Sequence, residues 1–211
     1  MKAFLLLAFV IALFYGNTLL NGFVYDDTWL IENNQIVRDL GNLPKVFTGC
    51  ISATSTGECD KSGVYYRPIQ NLQLMLTFQI SQEPWVFHLT SLIILFFVSV
   101  SLYDLFKRLI KIPLLAFFGT MLFLIHPIIS ENINMVSALT EQYMAIFFVI
   151  SFIYYIKYSD LRKVKYLFFS SFFYLLALFA KETVALLFMA FFVYEFLLKK
   201  KEINKKRIRK I

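Results

Sequence analysis

Asp26 and Asp27 stand side by side directly after the first apolar stretch of the chain, in the run GFVYDD. Further ionisable residues recur where later apolar stretches begin or end: Arg67 in YYRP, His126 before Pro127, Glu131, Glu141, and the neighbours Lys181 and Glu182. A carboxylate can take the proton of an attacking hydroxyl as general base. A neighbouring like charge and partial burial both raise an aspartate's pKa towards that task. Arginine matches phosphate through two parallel hydrogen bonds, and lysine offers a point charge. Charges at a bilayer are costly and concentrate where function needs them. Two carboxylates beside several cations on one membrane face suit a reaction involving an anionic lipid. Taken singly, each residue also has a plainer role. Asp26 can cap a helix, His88 can be a structural hydrogen-bonding group, and His126-Pro127 can end a helix. Lys181 and Glu182 can be an exposed interfacial pair of little energetic weight.

Positioning these groups falls to the apolar stretches. Of the 211 residues, 59% are hydrophobic and 18% aromatic, with a mean hydropathy of +0.65, which excludes an ordinary soluble domain. The pattern predicts spans at 3–20, 85–106, 112–129, 137–156, 164–180 and 183–198. The last two are short, about 24–26 Å at the α-helical rise, against a hydrocarbon core of about 30 Å. The expected fold class is an all-α polytopic membrane protein with about six transmembrane helices and one large outer loop after the first. Residues 1–198 form its membrane domain, with the outer loop at 21–84, and 199–211 form a basic inner-side tail.

Charge sets the expected orientation. With the N-terminus inside, the outer side takes five of the 21 Lys and Arg residues, namely Arg38, Lys45, Lys61, Arg67 and Lys181. All the rest fall inside, as the positive-inside rule requires. The net charge of +7 is therefore a topology signal. The basic tail reads as a flank that attracts anionic lipid, and no nucleic-acid partner is expected. The alternative for the first stretch is a cleavable signal peptide with Lys2 as its basic end, but no A-x-A-like site follows it.

The long outer loop contains the turn-rich run TGCISATSTGECDKSG and both cysteines, Cys50 and Cys59. An outward loop lies in an oxidising compartment, so a disulfide between them is expected, with two free thiols as the alternative. The stretch 69–80, IQNLQLMLTFQI, reads as an amphipathic helix along the outer interface or as a buried strand. The sequence carries no solenoid repeat, no nucleotide-binding glycine loop and no metal-ligand cluster, two histidines being too few for a zinc site.

The ordered motifs FVYDD, YRP, FHLT, HPIISE and AKET resemble the N-terminal membrane half of GT-C glycosyltransferases. In particular they resemble the transmembrane O-mannosyltransferases that carry C-terminal tetratricopeptide repeats, and their bacterial relatives. The resemblance runs from residue 1 to about 190. It implies a polyprenyl- or dolichyl-phosphate sugar as donor and transfer to a hydroxyl acceptor, on protein or glycan, at the outer or lumenal side. It implies that Asp27 or Asp26 is the catalytic base, with Asp27 placed first. Arg67, His126, Glu131, Lys181 and Glu182 match recurrent positions around the donor phosphate, and Glu141 matches an acidic position of the fourth span. That position commonly has an Arg two residues earlier, where this chain has Leu139. The family has more spans than six, so a C-terminal half or a partner subunit is expected beyond this chain.

From these residues follows an inverting transfer by one displacement, with the lipid phosphate as leaving group and Arg67 and Lys181 stabilising its charge. Apolar grooves between spans would hold the prenyl tail. No cofactor is specified, and a divalent metal is left open. The expected location is the plasma membrane in a bacterium and the endoplasmic reticulum in a eukaryote. The rival reading is a non-catalytic membrane subunit or lipid-linked-sugar binding module.

Overall fold

Pro68, Pro84, Pro113 and Pro127 each occupy the first turn of a helix, where the missing N–H costs nothing and the fixed φ favours helical entry. Helix boundaries are thus written into the sequence at four places. The computed structural model describes residues 2–48 and 65–199, so Cys50, Cys59 and the basic tail lie outside the described residues. All regular structure among the described residues is helical, and the chain is an all-α membrane protein.

α1 (Lys2–Tyr15) continues as a 3₁₀ helix over Gly16–Leu20. A compact segment follows, with a π-helical turn at Thr28–Glu32 and the short α2 (Leu43–Phe47). Then come α3 (Pro68–Ile80), α4 (Pro84–Ile110), α5 (Pro113–Leu124) and α6 (Pro127–Asn134). α7 (Leu139–Leu161) and α8 (Val164–Ala180) form an antiparallel hairpin. The last segment begins as a 3₁₀ helix at Glu182–Phe188, becomes α9 (Met189–Val193) and ends as a π helix at Tyr194–Lys199.

Each apolar stretch expected from the sequence is helical. Three of the resulting helices, Lys2–Leu20, Pro84–Ile110 and Val136–Leu161, are long and apolar enough to cross a membrane. α5 and α6 make a fourth only if counted together, because they meet at an angle of 56°. The expected straight span at 112–129 is therefore corrected to a bent pair. Its cause is local: Pro127 disfavours helical geometry at His126, whose backbone is extended. α8 is apolar but only 17 residues long. In the last segment the seven 3₁₀ residues rise about 14 Å, against about 10.5 Å in α geometry, which lengthens a short span.

Packing divides into three clusters. Leu7, Ile11 and Tyr15 of α1 pack with Leu92 and Leu95 of α4 and Leu124 of α5. Phe152, Ile153 and Ile156 of α7 pack with Phe191 and Tyr194 of the last segment. The third cluster gathers at the start of α4: Leu30, Ile31, Ile36, Val37 and Val46 bury against Leu74, Met75 and Phe78 of α3 and Phe87 of α4. The first loop is thus a small folded cap with its own core. The stretch 69–80 is resolved as helix α3, and it buries Gln70, Asn71, Gln73 and Thr77 alongside its apolar residues. Tyr25, Trp29, Tyr65, Tyr66 and Trp85 are exposed around this cap, the placement that aromatic rings favour at a membrane–water boundary.

Candidate active site

Tyr25 adopts a left-handed backbone, φ 49°, an uncommon conformation for a non-glycine residue. The two aspartates that follow are consecutive helical residues, about 100° apart around the axis, and so face different surroundings. Asp26 is exposed and Asp27 is fully buried. The Asp27 carboxylate accepts three backbone N–H bonds, from Val24 at 3.2 Å, Val136 at 3.1 Å and Ser137 at 2.6 Å. Hydrogen bonds to an ionised carboxylate are stronger than neutral ones, and here two of them join the first loop to the junction between α6 and α7. Among the described residues the Asp26 carboxylate has no hydrogen-bond or ion-pair partner. The pair therefore divides its labour between a buried clasp and a free carboxylate.

That junction gathers the other groups. The Ser137 carbonyl accepts from the Gln70 amide of α3 at 2.7 Å. Three residues on, the Thr140 hydroxyl donates to the carbonyl of Ala180 at the end of α8. Glu141 forms an ion pair with Lys181. Arg67 grips Glu182 with two N–H donors, Nη2 to Oε1 at 2.8 Å and Nε to Oε2 at 3.2 Å, and lies over the Tyr65 ring at 4.4 Å. The hydrogen bond from Arg67 holds the Glu182 carboxyl below its ordinary range against the opposing effect of partial burial. Residues 136–141 thus link the aspartate turn, α3 and the α8 terminus by one run of hydrogen bonds.

Lys181 and Glu182 do not pair with each other. Each is matched to a residue remote in sequence, giving an electroneutral quartet of Arg67, Glu182, Lys181 and Glu141. The cation for Glu141, absent at position 139, comes from Lys181. Arginine has five N–H donors and lysine three, so both keep donors for an incoming anion while their carboxylate partners hold them in place.

His126 caps α6, its Nδ1 accepting the Ile128 N–H at 3.3 Å, and its side chain is exposed. Glu131 is exposed on the same helix. Neither joins the quartet by a side-chain bond among the described residues. His88 is fully buried, with Nδ1 3.3 Å from the Ile133 carbonyl and Nε2 3.5 Å from that of Gly22. It ties the end of the first span to α6 from within the core. Asn21 and Asn134 reinforce the same contact at 2.7 Å. The sequence reading missed Gln70, Thr140 and the backbone amides of Val136 and Ser137. The signals for them were the polar run at the head of an apolar span, SALTEQ, and the glutamines and asparagine of IQNLQ.

Two cavities flank the site's helices. One of about 200 Å³ lies between α4, the α5–α6 bend and α7, with Asn132, Glu141 and Gln142 among its walls. The other, about 670 Å³, is an aromatic groove between α7, α8 and the last segment, lined by Tyr155, Tyr174, Phe188 and Phe191. Among the described residues no cluster of His, Cys, Asp and Glu could hold a metal ion.

The sequence is similar to that of known proteins. The chain is 32% identical over 153 residues to Protein O-mannosyl-transferase TMTC1 of Homo sapiens, covering 71% of this chain and 17% of that protein. It is 30% identical over 159 residues to Protein O-mannosyl-transferase TMTC3 of Homo sapiens, covering 74% of this chain and 17% of that one. The mouse TMTC3 protein is 29% identical over 160 residues. The chain thus spans about a sixth of the length of the curated relatives it matches. No family model and no solved structure matches it.

Proposed function

Because the chain is a relative of the protein O-mannosyl-transferases, we propose that it forms the catalytic membrane end of a glycosyltransferase. The reaction moves a sugar from a lipid-phosphate donor to a hydroxyl of a protein or glycan on the outer or lumenal side. The observation that carries this reading is the run of hydrogen bonds through residues 136–141, which ties the turn bearing the free Asp26 to the segment bearing Glu141 and its partner Lys181. Asp26 takes the hydroxyl proton, and the oxygen attacks the anomeric carbon. The bond from that carbon to the phosphate oxygen breaks, and the lipid phosphate leaves with the electron pair. A single displacement inverts the anomeric centre. Arg67 and Lys181 receive the departing charge through donors their carboxylate partners leave open. Asp27 keeps the turn in place. The prenyl tail lies along the aromatic groove between α7, α8 and the last segment. This order of roles reverses the one expected from sequence, which set Asp27 first.

Arg67 supplies one test. Arg67→Ala removes a charge-assisted contact worth about 1.5–3 kcal/mol, so donor affinity should fall by roughly tenfold or more, read by titration of lipid-phosphate sugar. Turnover at saturating donor should change much less. Unaltered affinity would remove Arg67 from the phosphate site.

Sidedness is tested separately, in a background with Cys50→Ser and Cys59→Ser. Gln35→Cys, on the exposed surface of the cap, should react with a membrane-impermeant maleimide in sealed cells. Lys163→Cys, at the opposite end of α7 and α8, should react only after permeabilisation. The reverse pattern would place the candidate site on the inner face.

A further inference from the structure

Gln142 is 5% exposed, and neither its carboxamide oxygen nor its nitrogen has a partner among the described residues. Gln73 and Ser137 each hide one such atom, but Gln142 hides both ends of its amide. Burying an amide without hydrogen bonds costs roughly 1–3 kcal/mol by mutational measure, and a leucine or methionine there would avoid it. The side chain is not simply packed in lipid-facing space. It forms part of the wall of the 200 Å³ cavity whose other walls include Leu95 and Val98 of α4, Phe123 of α5 and Asn132 of α6. An apolar hollow with a few convergent polar groups is the usual form of a small-molecule site. This one is smaller than the roughly 300–1,000 Å³ of drug-sized pockets, which excludes a prenyl chain and suits a single ring.

Glu141 connects this cavity to the cations. It shares the cavity wall with Gln142 while its carboxylate pairs with Lys181. A molecule whose phosphate lies at Lys181 therefore has a polar-edged hollow next to it, reached through Glu141. We infer that this cavity is the sugar subsite, with the Gln142 carboxamide both donating to and accepting from ring hydroxyls of the donor. A hydroxyl group is donor and acceptor at once, so one face of a pyranose satisfies both ends of the amide. The inference rests on the glycosyltransferase reading and adds the residue that recognises the sugar.

Two probes separate the two ideas: a short isoprenyl phosphate, and the same lipid phosphate carrying a hexose. Both are titrated against the full chain and against Gln142→Met in lipid nanodiscs. Methionine keeps the length and approximate volume of glutamine without its hydrogen-bonding atoms. The full chain should bind the sugar-bearing probe roughly tenfold or more tighter than the bare phosphate, as loss of one to two hydrogen bonds implies. Gln142→Met should bind bare phosphate as before and lose that preference, with thermal stability unchanged or raised. Equal preference in both proteins overturns the subsite and leaves the proposed reaction standing. A fall in the stability of Gln142→Met shows that the amide serves the fold, and also overturns it. Failure of the unaltered chain to bind either probe overturns the parent reading along with this one.

Discussion

Asp26→Asn should lower sugar transfer by about 100-fold or more, the usual contribution of a general base, while leaving the protein as stable as before. The carboxylate is exposed and makes no hydrogen bond or ion pair among the described residues, so its amide replacement removes basicity and little else. Donor affinity should hold or rise slightly, since a negative charge is taken away from the neighbourhood of a phosphate. The measurement is initial rate at saturating donor and acceptor, alongside the unfolding midpoint in detergent. A variant that keeps full transfer would displace Asp26 from the mechanism.

Asp27→Ala should behave in the opposite way. It removes the acceptor of three backbone N–H groups, and two of these, on the buried Val136 and Ser137, have no water to turn to. Each stranded donor costs about 1–3 kcal/mol, so the total loss should reach at least about 2 kcal/mol. The midpoint of thermal or denaturant unfolding should fall accordingly, and protease sensitivity should appear first in the cap at residues 21–48. Asp27→Asn keeps one carbonyl oxygen and should lose less. Transfer falls as well, but in proportion to the folded fraction. An Asp27→Ala protein with an unchanged midpoint would mean the clasp contributes little. The contrast between neighbours, one costing rate and the other stability, is what the geometry demands.

The sequence made the helices legible because lipid imposes one requirement, that backbone groups be satisfied within the segment. Apolar stretches and the four prolines therefore marked most boundaries directly. What it could not convey was side-chain direction. Asp26 and Asp27 are equivalent as letters, and only the helical turn they share, about 100° per residue, sends one inward to the amides of Val136 and Ser137. Lys181 and Glu182 look like partners, yet Lys181 is extended, φ −157° and ψ 132°. Successive side chains of an extended segment point to opposite sides, so each meets a different carboxylate or cation. Gln142 stood unremarked beside Glu141, because a buried amide is conspicuous only when its neighbours are known. The break at His126-Pro127 was written in the sequence, and the apolar residues that follow it disguised it as a continued span.

The clasp at Asp27 also orders events in time. Its carboxylate joins Val136 and Ser137 across 109 and 110 residues of chain. A chain emerging from the ribosome presents the aspartate long before those amides exist. Until α4 to α6 have been threaded into the bilayer, the Asp27 carboxylate lacks two of its three backbone donors and the first loop has an open end. Arrival of the α6–α7 junction closes the cap and delivers Glu141 in the same stroke, and Lys181 follows once α8 is made. Closure of the cap is thus coupled to the membrane insertion of the helices that come between its two halves.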